Sequence, residues 1–340
     1  MNKQNSVDAM DKSGSISIYG SIARILKNYL VIFAIIVLVL VTVIVEPRVL
    51  SILNITNIIS QLGCLSLVAL GMTIAIIGGY IDLSVVGIIN LVAIVTIMLI
   101  DPLGQVPALI IGLGLGTLLG FINSLVILSA GATSMFTALF ITYALSAMYS
   151  ALAMIVSQGQ TIQMFFIKAD TSIFNAIGSS AVGIFSLPFL VFIVALVVMN
   201  TFQKKTYMGR AIELTGGNKT AARLASIPVK KATMLIFTIS GFMAGLTGIV
   251  LFTRITKAQP TIGNGYDMQA ILAVVVGGTT LAGGKGSVLR TFLGLLLITL
   301  LSNCMDLLGV TPYMKVLLTG VVLILAIWLD NRKELRGEYK

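Results

Sequence analysis

The sequence predicts an all-α polytopic membrane protein with about ten transmembrane helices, one of them short and Gly-rich, and both termini cytoplasmic. Three observations carry this. Of 340 residues, 57% are hydrophobic and only 10% charged, where a water-soluble domain carries roughly 25% charged residues. The apolar residues run unbroken over helix-length stretches such as Tyr29 to Val45 and Leu83 to Ile100, and about 18 such residues cross a bilayer as a helix. The basic residues are gathered into three short segments.

In chain order, residues 1–28 read as a polar cytoplasmic segment. They lack the short apolar core and small-residue cleavage site of a signal peptide, so the first apolar run is expected to stay as an anchor. Long apolar segments then follow at 29–45, 55–77, 83–100, 106–128, 134–156, 182–200, 233–252, 288–305 and 314–329. Residues 29–330 form one integral membrane domain with a polar cytoplasmic loop at 201–232, and 331–340 is a cytoplasmic tail. The outer loop at 157–181 mixes polar and apolar residues and is expected to form short helices on the membrane surface.

Charge decides whether a further stretch, MQAILAVVVGGTT at 268–280, also crosses. Of 22 Lys and Arg, 15 lie in residues 1–27, 201–232 and 332–340. The positive-inside tendency places all three segments in the cytoplasm. Six long segments separate the first from the second, an even number. Three separate the second from the tail, so 268–280 must cross as well. Its 13 residues would rise only about 20 Å, less than the ~30 Å hydrocarbon core. It therefore needs neighbouring helices around it, since lipid satisfies no free backbone group.

Composition excludes several chemistries. There is no histidine, which removes His-based acid–base catalysis and disfavours a nitrogen-ligated metal site. Cys64 and Cys304 lie in apolar runs and read as buried filler. The basic balance is explained by membrane orientation and calls for no nucleic-acid partner.

The motifs read as follows. GGTTLAGGKGS at 277–287 lacks the Gly and Ser/Thr positions of a phosphate-binding loop and is read as a glycine turn between two spans. Glycine clusters at 111–121 (IGLGLGTLLGF) and 240–248 (SGFMAGLTG) suit close helix packing or hinges. GGYIDLSVVG at 78–87 sets Asp82 between two apolar runs. There it is solvated or caps the next helix, or it serves a pathway or gate. Asn90, Asn123 and Asn303 lie within spans, with Gln61, Thr142, Tyr143 and Ser146. Such groups either bond across helices or line a path; Asn264, in the turn before 268–280, joins the pathway candidates. In the central loop GRAIELTGGNKTAARLASIPVKK (209–231), Gly216 and Gly217 precede Asn218, a helix cap. Ala221, Ala222, Leu224 and Ala225 form a small, smooth face, and Pro228 stops the helix. Such a helix suits docking into a protein groove, or the loop is simply solvated.

GRAIELTGGNKTAARLASIPV resembles the coupling loop of permease subunits of ATP-binding cassette (ABC) sugar importers, the ribose/xylose/galactose group of the binding-protein-dependent transport family. AQPTIGNGYDMQAILAVVVGGTTLAGGKGSV at 258–288 is similar to that family's AQP…GYEL…GGTSLAGGKG stretch. GGYIDLSVVG is similar to its GGIDLSVG, with Tyr80 inserted. TSMFTALFIT at 133–142 departs from the family's PF…TLGT pattern, which bears on the solute. The likeness covers most of residues 45–330. It implies a permease subunit moving a monosaccharide by alternating access, without an ATPase site or cofactor of its own, ATP and Mg being bound by a partner. It implies as partners a cytoplasmic ABC ATPase, an extracytoplasmic sugar-binding protein and a second permease copy, homologous or identical, in bacterial inner-membrane lipid. The ATPase docks on Gly216, Gly217, Asn218, Ala221, Ala222, Leu224 and Ala225. Arg48, Arg254 and Lys257, which charge parity places outside, are expected to meet acidic patches of the binding protein. Autoinducer-2 or a nucleoside is the alternative solute. An ion-coupled secondary transporter using Asp82 is the rival mechanism, and a membrane-embedded enzyme is disfavoured.

Overall fold

The computed structural model describes residues 30–131 and 134–335. Among the described residues, seven helices are long and apolar enough to cross a membrane: α2 (Ile52–Ile77), α3 (Val85–Leu103), α4 (Gln105–Ser129), α5 (Met135–Ser157), α7 (Leu187–Lys205), α10 (Val229–Ile255) and α12 (Val288–Leu307). Three further helices, α1 (Leu30–Val45), α11 (Tyr266–Val276) and α13 (Pro312–Leu335), hold shorter apolar stretches. The remaining helices are α6 (Ser172–Ser179), α8 (Tyr207–Gly217) and α9 (Lys219–Leu224). Two-residue strands pair antiparallel, β1 (Ile162–Gln163) with β4 (Lys257–Ala258) and β2 (Ala181–Val182) with β3 (Phe185–Ser186).

The helices surround α2 and α10, which are buried along most of their length, while α4, α5 and α7 leave most of theirs uncovered. The uncovered surface is oily. Phe136, Phe140 and Ile155 stand exposed on α5, and Val194 and Val197 on α7. An exposed apolar belt of this kind fits contact with lipid tails.

Glycines set the closest helix approaches. On α4, Gly112, Gly116 and Gly120 recur every fourth residue and face one side. Gly241 and Gly245 do the same on α10. A Cβ on Gly116 would lie 2.8 Å from Gly245 Cα, and one on Gly120 would lie 2.8 Å from Gly241 Cα. The two glycine clusters of the sequence therefore meet each other, and the packing reading holds for both. Gly63 of α2 is likewise pressed onto the Pro188–Phe189 backbone of α7.

The short helix α11 has 11 residues, about 16 Å of rise. Ala270 to Val275 are buried, and α2 and α12 flank it. Gly277, beyond its end, fits against the Arg290 carbonyl and Thr291 of α12. The loop at 157–181 is exposed along most of its length, with Ser157, Met164 and Phe174 buried. It holds one α-helix, α6, whose Phe174 is fully buried against Phe252 of α10 with ring centroids 5.5 Å apart. Asp101 accepts the Lys168 and Ala169 amides, which pins the loop to the end of α3.

Candidate functional site

Lys204 and Lys205 end α7, and the chain then leaves the bundle. The Thr206 hydroxyl accepts the Gly209 amide at 3.0 Å and starts α8. Only Gly fits at 209, since a Cβ there would meet the Gln203 carbonyl at 2.5 Å. α8 ends at Gly217, and Asn218 caps α9 as the sequence suggests, its Oδ1 accepting the Ala221 amide at 2.9 Å. Ser226 takes a positive φ of 58°, and Pro228 precedes α10.

This pair of helices encloses a groove of about 600 Å³ lined by Arg210, Leu214, Asn218, Ala221, Ala225 and Gly284, among others. Gly217, Asn218, Ala221, Leu224 and Ala225 are exposed, Leu224 at 84%. Ala222, only 4% exposed, also lines the groove. The exposed Leu224 beside these small residues leaves an uncovered apolar patch at the edge of the groove.

Beneath the groove three glycine pairs from three segments interlock. They are Gly78–Gly79 after α2, Gly216–Gly217 at the α8–α9 joint, and Gly283–Gly284 in the turn before α12. A methyl on Gly216 would collide with the Ile77 carbonyl, and one on Gly284 would lie 2.5 Å from Gly217 Cα. The Gly284 amide donates to Ile77 O at 2.8 Å. The 277–287 stretch is thus a glycine turn, with Gly278, Gly283 and Gly284 at positive φ. Gln203 ties the same parts together from the side. Its Nε2 donates to Glu213 Oε1 (2.8 Å) and Gly286 O (3.0 Å), and its Oε1 accepts the Val288 amide (3.0 Å).

The turn containing Asp82 adjoins this joint. Asp82 is fully buried, which corrects the solvated alternative. Its Oδ1 accepts the Ser84 amide at 3.0 Å and the Ser84 hydroxyl, so it organises the turn into α3 from two residues before the helix cap. The chain of bonds continues inward. Asn123 Nδ2 donates to Ser84 Oγ at 2.6 Å, and the Tyr149 hydroxyl donates to Asn123 Oδ1 at 2.7 Å. Four side chains from the turn, α4 and α5 thus form one buried line. Thr142 and Ser146 of α5 accept the Leu83 and Gly87 amides at the head of α3, groups that have no partner inside the helix.

The structure joins Asp82 and Asn123 through Ser84 and sets Asn90 against Gly263, the residue before Asn264. Asn90 donates to Ser150 and accepts the Gly263 amide at 2.7 Å. Asn303 exchanges two side-chain hydrogen bonds with Asn54, at 2.9 and 2.8 Å. Asn264 is exposed in the turn before α11. Gln61 is half-buried and Tyr143 exposed. Sequence reading missed Tyr80, Ser84, Tyr149, Gln203 and Asn54, whose partners lie far off in the chain.

Arg48, Arg254 and Lys257 lie at the helix ends away from the groove. Arg48 bonds Glu46 through Nε and Nη2, each at 2.8 Å, and holds the Glu46 carboxyl down at about 2. Arg254 donates to Ser60 (3.0 Å) and Asn57 (2.7 Å) of α2. Lys257 is exposed on β4. No cluster of metal-ligating side chains occurs among the described residues.

A multispanning helical bundle with a buried polar line, and a projecting helix pair joined to it through glycines, has the build of a membrane transport subunit. The chain belongs to the family described as "Branched-chain amino acid transport system / permease component", whose model matches residues 54–327. It is 34% identical to the ribose import permease protein RbsC of Haemophilus influenzae over 91% of this chain and 95% of that one. It is 34% identical to RbsC of Bacillus subtilis over 87% and 90%. It is 30% identical to the L-arabinose transport system permease protein AraH of Escherichia coli over 92% and 93%. No solved structure matches this chain.

Proposed function

We propose that this chain is the transmembrane permease subunit of an ABC importer for a monosaccharide of the ribose, xylose or galactose kind. The near full-length likeness to ribose and arabinose permeases carries the reading. Two permease copies form the path, a cytoplasmic ATPase binds ATP and Mg, and an extracytoplasmic binding protein delivers the sugar. The seven long and three shorter apolar helices support ten spans with both termini cytoplasmic. The α8–α9 groove then faces the ATPase, which docks on the exposed Gly217, Asn218, Ala221, Leu224 and Ala225, supported by Gly216 and Ala222. Arg48, Arg254 and Lys257 face the binding protein. ATP-driven closure of the ATPase pushes on α9 and shifts the bundle between inward- and outward-facing states, since a ligand shifts a two-state element only through differential affinity.

Co-reconstitution in liposomes with the ATPase and binding protein tests this. Uptake of radiolabelled D-ribose is expected to require ATP and to stop with vanadate, and to continue with an ionophore. Uphill accumulation by the chain alone, or arrest by the ionophore, overturns the ATP-driven reading in favour of ion coupling through Asp82. Uptake of autoinducer-2 or a nucleoside in place of every sugar overturns the substrate class alone.

A further inference from the structure

Tyr80 connects three parts of the molecule: its own turn, α9 and α10. Its ring lies beneath the Lys219 ammonium of α9, with Nζ 3.7 Å from the centroid. Its hydroxyl shares a hydrogen bond with Thr233 of α10 at 3.2 Å. Its ring meets Phe237 of α10 edge-on, centroids 5.3 Å apart and planes at 60°. Tyr80 is 3% exposed, and Thr233 and Phe237 are fully buried. The chain on either side is tightly held. Gly79, at φ 76°, packs against the Gly216 backbone at the α8–α9 joint, and the Tyr80 amide donates to Ala75 O at 3.0 Å. Two residues on, Asp82 begins the buried line through Ser84, Asn123 and Tyr149.

We propose that Tyr80 is a positioning residue for transport, transmitting the movement of α9 to the head of α3 and to α10. The attraction of an ammonium for an aromatic face is directional and strengthens as water is removed. A displaced Lys219 therefore draws on the ring, and the ring has little room to yield without moving Thr233 or the Gly79–Asp82 turn. A ring held at its face by α9, at its edge by Phe237 and at its hydroxyl by Thr233 cannot follow α9 alone. Tyr80 is also the residue by which this turn departs from the family's GGIDLSVG pattern, so the device belongs to this chain and need not be general.

The inference rests on the ATPase docking at α9, and the test keeps the two apart. The complete importer, reconstituted in liposomes, is assayed for ATP hydrolysis and for D-ribose uptake in parallel. Lys219→Met, on the surface helix, is expected to leave hydrolysis within about twofold and to lower sugar moved per ATP about tenfold, the upper range for a desolvated cation on a ring. Lys219→Arg is expected to restore it, because the cation is kept. Tyr80→Phe, which keeps the ring, is expected to couple better than Tyr80→Leu. Tyr80→Leu combined with Lys219→Met is expected to be no worse than Tyr80→Leu alone, as for two ends of one contact. Unchanged sugar per ATP in Lys219→Met, or losses that multiply in the double variant, overturns the proposal. Leu224→Glu reports on docking separately. It is expected to release the ATPase from the permease, and retention of the ATPase in that variant overturns docking at α9 whatever the Tyr80 variants do.

Discussion

The Tyr149 hydroxyl donates to Asn123 Oδ1 at 2.7 Å, joining α5 to α4 at the end of a buried line that begins at Asp82. Tyr149 is 5% exposed and Asn123 is fully buried, so neither finds water as a substitute. A buried acceptor stripped of its donor costs about 1–3 kcal/mol. Tyr149→Phe is therefore expected to lower the thermal midpoint of the purified permease, while Tyr143→Phe, on the exposed side of the same helix, leaves it unchanged. Equal midpoints for the two variants would remove the line from the list of stabilising features.

Asn54 and Asn303 form a two-bond clasp between α2 and α12, and Asn54 also donates to the Val49 carbonyl at 2.9 Å. Interhelical hydrogen bonds of this type contribute ~1 kcal/mol each in membranes. Asn303→Leu strands one amide and is expected to destabilise. Asn303→Leu with Asn54→Leu removes both partners and is expected to cost less than the sum of the single changes. Strict additivity in thermal unfolding would mean the clasp does not act as a unit.

Gly216→Ala puts a methyl where the Ile77 carbonyl already stands. Overpacking of this type costs about 1–3 kcal/mol, and here the strain falls on the α8–α9 joint. The variant is expected to insert and fold but to bind the ATPase more weakly, measured by co-purification. Gly114→Ala, where a Cβ meets nothing within 4 Å, serves as the control and is expected to bind normally.

Lys219 gives a pH test whose two readouts move in opposite directions. Burial, and then the like charge of Arg223, pushes its ammonium from the ordinary 10.5 down to about 8. The fold thus penalises the charged form. That penalty is fully present below about pH 8 and disappears as pH rises to the ordinary lysine value, so this group makes stability rise with pH across that window. The same loss of charge removes the cation from the Tyr80 ring, so sugar moved per ATP is expected to fall with a midpoint near pH 8. Lys219→Arg should flatten both curves, because a guanidinium stays charged throughout. Parallel pH curves for wild type and this variant would show that other groups dominate.

The spans were legible because hydrocarbon demands long apolar runs, and α2, α3 and α10 carry them without interruption. The cap at Asn218 was legible because a side-chain oxygen before a helix has one local use. The meeting of the two glycine clusters was foreseeable as packing, though not which helices would pair. The inner loop was less legible. α8 reads as a broken stretch because its last residues are Gly216 and Gly217, which lower helix propensity; Gly216 is required there by its backbone contacts with Ile77 and Gly284. The partners of Asp82 were hidden for a different reason. Helices that are apolar nearly all round give no periodic signal of which face turns inward, so Asn123 and Tyr149 could not be aimed at Ser84. Gln203, at the basic end of α7, resembled any solvated polar residue until Val288 and Gly286 were brought beside it.

The contact of Gly116 and Gly120 with Gly241 and Gly245 leaves no side-chain cushion between α4 and α10 at that crossing. Two rods touching along their spines cannot roll over one another as cushioned helices do, so they tilt together or not at all. α10 begins only a few residues after α9. A push delivered to α9 thus reaches α4, and with it Asn123, as the swing of one stiff beam.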